Sequence, residues 1–481
     1  MTVKGDGHVS INGVRYLLDE GSPDHYVHRL PGILAHEADI QGTDDKRQAH
    51  VERLTWDITD WSGGEGNRVY YDDQPAVYDY GVGVNTRIPG QVGPRPKRDR
   101  TTFSHSATSG TDTGAYTRLF SGVGKLWIFA NDKIGNGDGD NTWTDKSPAS
   151  LPTSHFITAG AADTENVYIT TRKAGAASND RLVGYSVDSG VTWRNMTTSQ
   201  ALNYTSTVES SKNGYFGMAM HHGKLFGWTG RKLFTYDVAN LTGSNALSSD
   251  QFRKIFDTGA EPGGKPEANT FWADVVDCGN AVAFFASTPG DTRVYLYRQG
   301  VARPIWTKPG FTTKSIAFNS GLIYVFGTFS AASSGGTPGH GACYAIPLNN
   351  LSEIFLKWVR KTIDSNLQMQ VANPSYGNQV MVCAAHTGRV WVYDLDYNSF
   401  SMLDDFGSAT TDKATQETAN EVGGTLVFTD NDHRIGDVFS FGKFRIVSIY
   451  RPGTSATSCQ TLHYYNDEPS QRVTTNTSLN Y

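Results

Sequence analysis

Apolar and polar residues alternate in short runs along most of this chain, and the runs recur. The first of them read Gly124-Lys125-Leu126-Trp127-Ile128-Phe129, Glu165-Asn166-Val167-Tyr168-Ile169-Thr170 and Gly223-Lys224-Leu225-Phe226-Gly227-Trp228. Anchored on Leu126, Val167, Leu225, Val282, Leu322, Val380 and Leu426, the steps are 41, 58, 57, 40, 58 and 46 residues. Most copies carry a second run, such as Arg181-Leu182-Val183-Gly184-Tyr185-Ser186, Arg389-Val390-Trp391-Val392-Tyr393-Asp394 and, in the last copy, Asp437-Val438-Phe439-Ser440-Phe441. In the first copy the second run is no more than Asn141-Thr142-Trp143, and Trp143, Trp193, Trp306 and Trp358 close several copies. A period of two over runs this short predicts strands, not helices. Strand repeats of this length cannot each bury both faces alone, so they must stack. The chain is predicted to be all-β, a β-propeller of seven blades, with six or eight as the neighbouring counts.

Around the repeats lie two other zones. Residues 1–100 are polar, rich in His and Asp, and end in the proline- and charge-rich stretch Gln91 to Arg100. That composition predicts an extended docking arm and linker rather than an independent globule. The propeller is expected over 101–445. From about Lys443 the chain holds two more strand-like runs, Phe444 to Tyr450 and Thr461 to Tyr465, and a polar tail, with the C-terminal strands and tail bounded at 446–481. They either close the disc or begin a small separate sheet.

Composition fits this outline. Glycine reaches 51 copies and aromatics 12%, as many hairpins stacked on aromatic faces require. A net charge of −6 argues against a sequence-independent grip on nucleic acid, which needs a basic field. No apolar run is long enough to span a membrane, and the N-terminus lacks the apolar centre of a secretory signal. The expectation is a protein made in a cytoplasm, without membrane insertion. Cys278, Cys343, Cys383 and Cys459 are widely spaced, which predicts buried thiols rather than a zinc or redox site.

One sequence fits an Asp-box: Ser186-Val187-Asp188-Ser189-Gly190-Val191-Thr192-Trp193. There Asp188 would accept backbone N–H groups in a hairpin turn, Gly190 would take the left-handed position and Trp193 would pack beneath. A degenerate copy runs from Asn136 to Trp143, with Asp138 and Trp143 in the matching places. Sialidases carry such boxes together with an Arg-Ile-Pro motif, and Arg87-Ile88-Pro89 resembles it. A sialidase also needs an arginine triad, a Tyr–Glu nucleophile pair and an Asp acid. No such set is assignable here, so no catalytic residue is named and no enzyme is expected. The acidic runs Asn136 to Asp145 and Asp430 to Asp437 resemble calcium loops but lack EF-hand spacing, which leaves solvated turns as the plainer reading. No cofactor or metal is therefore assigned. His221-His222 lacks a zinc-binding spacing, and Gly63-Gly64-Glu65-Gly66 lacks the Lys-Ser or Lys-Thr of a phosphate loop.

The segment Trp56 to Arg68 contains Asp60-Trp61-Ser62-Gly63-Gly64-Glu65-Gly66, and Arg87-Ile88-Pro89-Gly90-Gln91 follows it. Together they resemble the N-terminal part of minor tail or fibre proteins of long-tailed bacteriophages. The resemblance covers about residues 50–95 by motif. It implies a structural virion protein, assembled in the host bacterial cytoplasm, whose arm docks onto other phage tail proteins through Trp56, Trp61 and the Gly-Gly-Glu-Gly string. It further implies a homo-oligomer or several copies per particle, and a propeller that displays loops for assembly or for a host cell-surface glycan. The alternative is a free-standing Asp-box propeller that binds or acts on glycans.

Overall fold

Four consecutive antiparallel strands make one sheet, and the chain repeats that unit until it meets its own beginning. The computed structural model describes the strands named below together with residues 123–124, 146, 163–165, 217, 222–223, 238, 278–281, 299–300, 310, 320–321, 348–354, 395 and 398. The N-terminal strands are β1 (His8–Ile11), β2 (Val14–Leu17), β3 (Leu30–Ile33), β4 (Arg53–Trp56) and β5 (Gly64–Glu65). They continue as β6 (Val77–Tyr78), β7 (Tyr80–Val82), β8 (Val84–Asn85), β9 (Gly93–Pro94) and β10 (Lys97–Ser106). Blade 1 is β11 (Thr117–Gly122), β12 (Lys125–Ala130), β13 (Lys133–Gly137) and β14 (Thr144–Asp145). Blade 2 is β15 (His155–Ala162), β16 (Asn166–Lys173), β17 (Arg181–Ser186) and β18 (Thr192–Asn195).

After the short β19 (Tyr215–Phe216), blade 3 is β20 (Met218–His221), β21 (Lys224–Thr229), β22 (Lys232–Asp237) and β23 (Phe252–Asp257). Blade 4 is β24 (Trp272–Asp277), β25 (Val282–Thr288), β26 (Asp291–Arg298) and β27 (Val301–Pro309). Blade 5 is β28 (Phe311–Asn319), β29 (Leu322–Phe329), β30 (Gly341–Pro347) and β31 (Phe355–Arg360). Blade 6 is β32 (Met369–Val371), β33 (Gln379–Ala384), β34 (Arg389–Asp394) and β35 (Ser399–Asp405). Blade 7 joins β36 (Arg434–Phe441), β37 (Phe444–Tyr450) and β38 (Thr457–Asn466) to β10.

The first strand of each blade packs on the first strand of the next, and β36 packs on β11, so the ring closes. This is a seven-bladed β-propeller. Its clasp is the pairing of β10 with β38, from Lys97↔Asn466 to Ser106↔Thr457. The C-terminal strands therefore close the disc, and residues 97–106 belong to the ring as its last outer strand.

Two details of the expected register differ. The second run of the last copy, Asp437 to Phe441, lies within β36, the innermost strand of blade 7, and not in a third strand. The run Gly424 to Phe428 lies outside the described residues. An amphipathic inner strand and a third strand share one alternation, and only the clasp, contributed from residue 97 onward, decides between them. In blade 1 the third strand is Lys133–Gly137, ahead of Asn141-Thr142-Trp143, and it pairs with β12 from Ala130↔Lys133 onward.

Alternation explains the packing. In blade 4, Val282 and Phe284 face blade 3 with Phe226, Trp228 and Phe256, whereas Ala283 and Phe285 face blade 5 with Ile323 and Val325. Both faces of the sheet are thus buried, at about 1.5–3 kcal/mol for each large apolar side chain. The turns are equally regular. Val123-Gly124, His222-Gly223 and Ser320-Gly321 each join first to second strand with positive φ at both residues, the two-residue hairpin that fits strand twist.

A further repeat sits in the outer strands. Opposite the third strand, one residue is unpaired: Ile255 in blade 3, Ile305 in blade 4, Lys357 in blade 5 and Leu403 in blade 6. Such a bulge shifts the alternation by one, and in blades 3 to 5 the aromatic after it, Phe256, Trp306 or Trp358, turns inward and is buried. Each packs on a third-strand tyrosine of the next blade: Phe256 on Tyr295 at 4.5 Å, Trp306 on Tyr344 at 4.9 Å and Trp358 on Tyr393 at 6.0 Å.

Candidate functional site

Three places on the ring bring chemistry-bearing residues together. In a four-strand meander, second-to-third turns and blade-to-blade connections lie at one end of the blade. Of the five longest connections between ring strands, 196–214, 258–271, 330–340 and 406–433 belong to that end and 238–251 to the other, which otherwise carries short turns. That face carries most of the long loops. The Gly- and Ser-rich segment 330–340 joins β29 to β30 on it and lies outside the described residues.

Beneath that face, at the junction of blades 4 and 5, polar side chains are buried: Ser287, Thr292, Thr312, Thr313, Lys314, Ser315 and Thr328. Their hydroxyls are wired together. Ser287 Oγ lies 2.9 Å from Thr292 Oγ1, which donates to the Phe311 carbonyl at 2.7 Å. The Thr313 N–H donates to both hydroxyls, at 3.0 and 2.8 Å. Lys314 follows as the unpaired residue of a bulge in β28, between the pairs Thr313↔Gly327 and Ser315↔Phe326. Burial pulls its ammonium pKa well below the usual lysine value. A buried amine of this kind is a candidate functional group. The hydroxyls around it are satisfied by one another and by backbone, which is equally what a structural junction requires.

On the opposite face, His221 Nδ1 at the end of β20 lies 2.8 Å from Asp277 Oδ1 at the end of β24. Asp277 also accepts the Gly279 N–H at 2.8 Å, and the His222 ring stands edge-on to His221 with centroids 4.2 Å apart. This link ties blade 3 to blade 4. Nearer the axis Gly217 does the same: its N–H donates to the Ala273 carbonyl at 3.1 Å, and a Cβ there would meet Asp274 Oδ1 at 1.5 Å. In blade 2, Asp163 accepts the N–H groups of Glu165 and Asn166 at 2.7 and 2.6 Å and the Tyr168 hydroxyl at 2.9 Å. Burial first, then the Asp163 charge, raises the Tyr168 pKa. Among the described residues no group of three His, Cys, Asp or Glu side chains has the geometry to hold a metal ion. Cys278 and Cys343 are free and buried, and burial pushes the Cys278 thiol up to about 12, away from nucleophilic use.

The third place is the rim. The outer strand of blade 6, β35, continues outward into N-terminal strands: Phe400 pairs with Gly64 of β5, and Met402 pairs with Val82 of β7, both in parallel. β7 in turn pairs with β1, and β1 with β2. Gly64 and Glu65 of the Gly-Gly-Glu-Gly string thus sit at the rim, with Glu65 opposite Tyr78. Trp56 ends β4, opposite Leu30. Trp61, Gly63, Gly66, Arg87 and Pro89 lie outside the described residues. The expected Asp-box sequences span equivalent hairpins of blades 1 and 2: Asn136 pairs with Thr144, and Ser186 pairs with Thr192. Trp193 stands opposite Tyr185, while Asp138, Trp143, Asp188 and Gly190 lie outside the described residues.

Sequence reasoning missed Lys314, the His221–Asp277 link and the rim edges. The first two need the fold, because the partners come from different blades. For the rim a signal existed: Ile354-Phe355-Leu356 is three apolar residues in a row, which breaks strand alternation.

No family model matches this chain, and no curated protein matches it in sequence. Among solved structures, it is similar to a streptogramin B lyase, with a TM-score of 0.43 and 12% identity over 76% of this chain and 97% of that one. It is similar to virginiamycin B lyase from Staphylococcus aureus, with a TM-score of 0.42 and 12% identity over 76% and 99%. YCF48 bound to D1 peptide gives 0.44 and 9% over 76% and 97%. The blade count given above rests on this chain's own strand pairings.

Proposed function

We propose that this chain is a structural component of a bacteriophage tail, with an N-terminal arm that serves assembly and a propeller that displays loops. One observation supports this most. The segment that resembles phage tail proteins is used as sheet-edge strand: Gly64 and Val82 add to the outer edge of blade 6. Edge addition of this kind is how extended arms build assemblies, because backbone pairing gives affinity with little demand on side chains. The arm would present its own free edge to neighbouring tail proteins, and the long-loop face would meet other tail proteins or a host-surface glycan. The two Asp-box sequences would pin hairpins of adjacent blades, a structural role. The reading assigns no catalysis, metal or cofactor, several copies per particle, and a place in the virion.

Mass spectrometry of purified particles from the phage that encodes the chain tests it. The chain is expected in the tail, and a version lacking residues 1–95 is expected to stay folded and to be missing from particles. Absence of the full chain from particles would overturn the proposal. So would hydrolysis of a fluorogenic sialoside that Arg87→Ala abolishes, which would favour a glycan-active propeller.

A further inference from the structure

The outer edges of the blades are not alike. Blade 3 shields its edge with the exposed Arg253 and Lys254, and blade 4 carries Pro304 and Pro309 in its outer strand. Charge and proline are the usual guards of a sheet edge, since both oppose the addition of a further strand. Blade 6 has its edge covered by β5 and β7. Blade 5 has none of these at the start of its outer strand. There Ile354, Phe355 and Leu356 are 37%, 41% and 53% exposed, and among the described residues no strand pairs with the outer side of β31.

The sequence at this edge is complementary to itself. Glu353-Ile354-Phe355-Leu356-Lys357, laid antiparallel on a second copy and centred on Phe355, sets Glu353 opposite Lys357, Ile354 opposite Leu356 and Phe355 opposite Phe355. Opposite charges flank an apolar centre on both sides of the axis, the arrangement an isologous two-fold contact needs. We propose that β31 pairs with β31 of a second copy of this chain, about a two-fold axis through Phe355. The pairing ends at Lys357. That residue is the bulge, and its carbonyl already accepts from Asn398 Nδ2 of blade 6 at 3.1 Å. A contact this short belongs with small, reversible interfaces. Its use as a link between copies in a tail rests on the proposed function; the pairing itself does not.

Sedimentation velocity of the full chain over a concentration series tests it. Wild type is expected to pass from monomer to dimer as concentration rises. Glu353→Lys alone and Lys357→Glu alone are each expected to remain monomeric at concentrations where wild type is dimeric, because like charges then face each other. Mixed in equal amounts, these two variants are expected to form dimers again, since every facing pair is once more opposite in charge. Leu356→Lys, at an exposed position that leaves the fold intact, is expected to abolish the dimer without rescue. A wild type that is monomeric throughout, single variants that dimerise like wild type, or a mixture that stays monomeric would each overturn the proposal. A dimer lost on deleting residues 1–95 but insensitive to the charge variants would mean arm exchange, and would overturn it too. Presence or absence of the chain in particles decides the tail reading separately.

Discussion

Blades 5 and 6 share four strands, an outer-strand bulge and a third-strand tyrosine, yet their rims meet different fates. Blade 6 is continued by the chain's own N-terminal strands, and blade 5 stops at an exposed apolar edge. The interior of a propeller repeats because every blade must fill the same wedge. The rim is free to differ, since nothing in ring closure depends on it. Blade 7 shows the limit of that freedom: its outer strand is β10, so there an added strand is the closure itself.

The sharpest way to separate a cover from a clasp is truncation. Removing residues 1–95 takes away the strands on β35 and spares β10, so a cooperative thermal transition followed by circular dichroism is expected to survive. Removing 1–106 deletes β10 and strips β38 of its outer partner along the whole strand, leaving only β37 beside it. The seventh blade then exposes an unguarded edge next to the seam, and loss of cooperative melting with aggregation is expected. Equal behaviour of the two truncations would mean that the arm is part of the ring's stability after all.

The comparison can next be drawn inside one strand. The bulge at Lys357 divides β31 into an exposed start and a buried end. Trp358 is 3% exposed and packs on Tyr393 of blade 6, so Trp358→Ala is expected to lower unfolding free energy by about 3–5 kcal/mol. Leu356→Ala, two positions away, is expected to stay within about 0.5 kcal/mol. Urea denaturation of both variants below the dimer concentration measures the difference. Similar losses would show that the edge is packed and not available to a partner.

How much of this was legible in the sequence follows from the range of each interaction. The second strands were plain, because Leu126-Trp127-Ile128-Phe129 and its counterparts are short apolar runs bounded by turn residues, legible over their own few positions. Blade count followed from their period. The inner strands hid better: β28 mixes Thr312, Thr313, Lys314 and Ser315 into a buried strand, and a polar run reads as surface unless the next blade is known to satisfy it. The clasp was invisible for the same reason, since Lys97 to Arg100 belongs to a stretch that looks like a solvated linker until β38 pairs with it. The aromatic after each bulge was noticed as Trp306 and Trp358, but its partner tyrosine lies on the following blade, and no local pattern links the two. Of the candidate site, the Gly-Gly-Glu-Gly string stood out in the sequence, while the place of Gly64 on β35 required the fold.

The smallest test concerns a hydrogen bond between the two rims. Asn398, in the turn before β35, has φ 52° and makes one bond to blade 5 and one within its own blade. Its Nδ2 donates to the Lys357 carbonyl at 3.1 Å, and its Oδ1 accepts from the Tyr393 hydroxyl at 2.5 Å. Asn398→Gly keeps the left-handed turn and removes both bonds, so backbone strain does not confuse the result. Each bond is worth about 0.5–1.5 kcal/mol net, and water reaches this exposed turn to replace part of it. A fall of about 1 kcal/mol in urea-derived stability is expected, with the β31 dimer unchanged, because the proposed pairing ends before the Lys357 carbonyl. If the dimer tightened instead, the freed carbonyl would have joined the partner strand. The edge of blade 5 would then be longer than its bulge implies, and the two rims would differ by one hydrogen bond rather than by design of the whole strand.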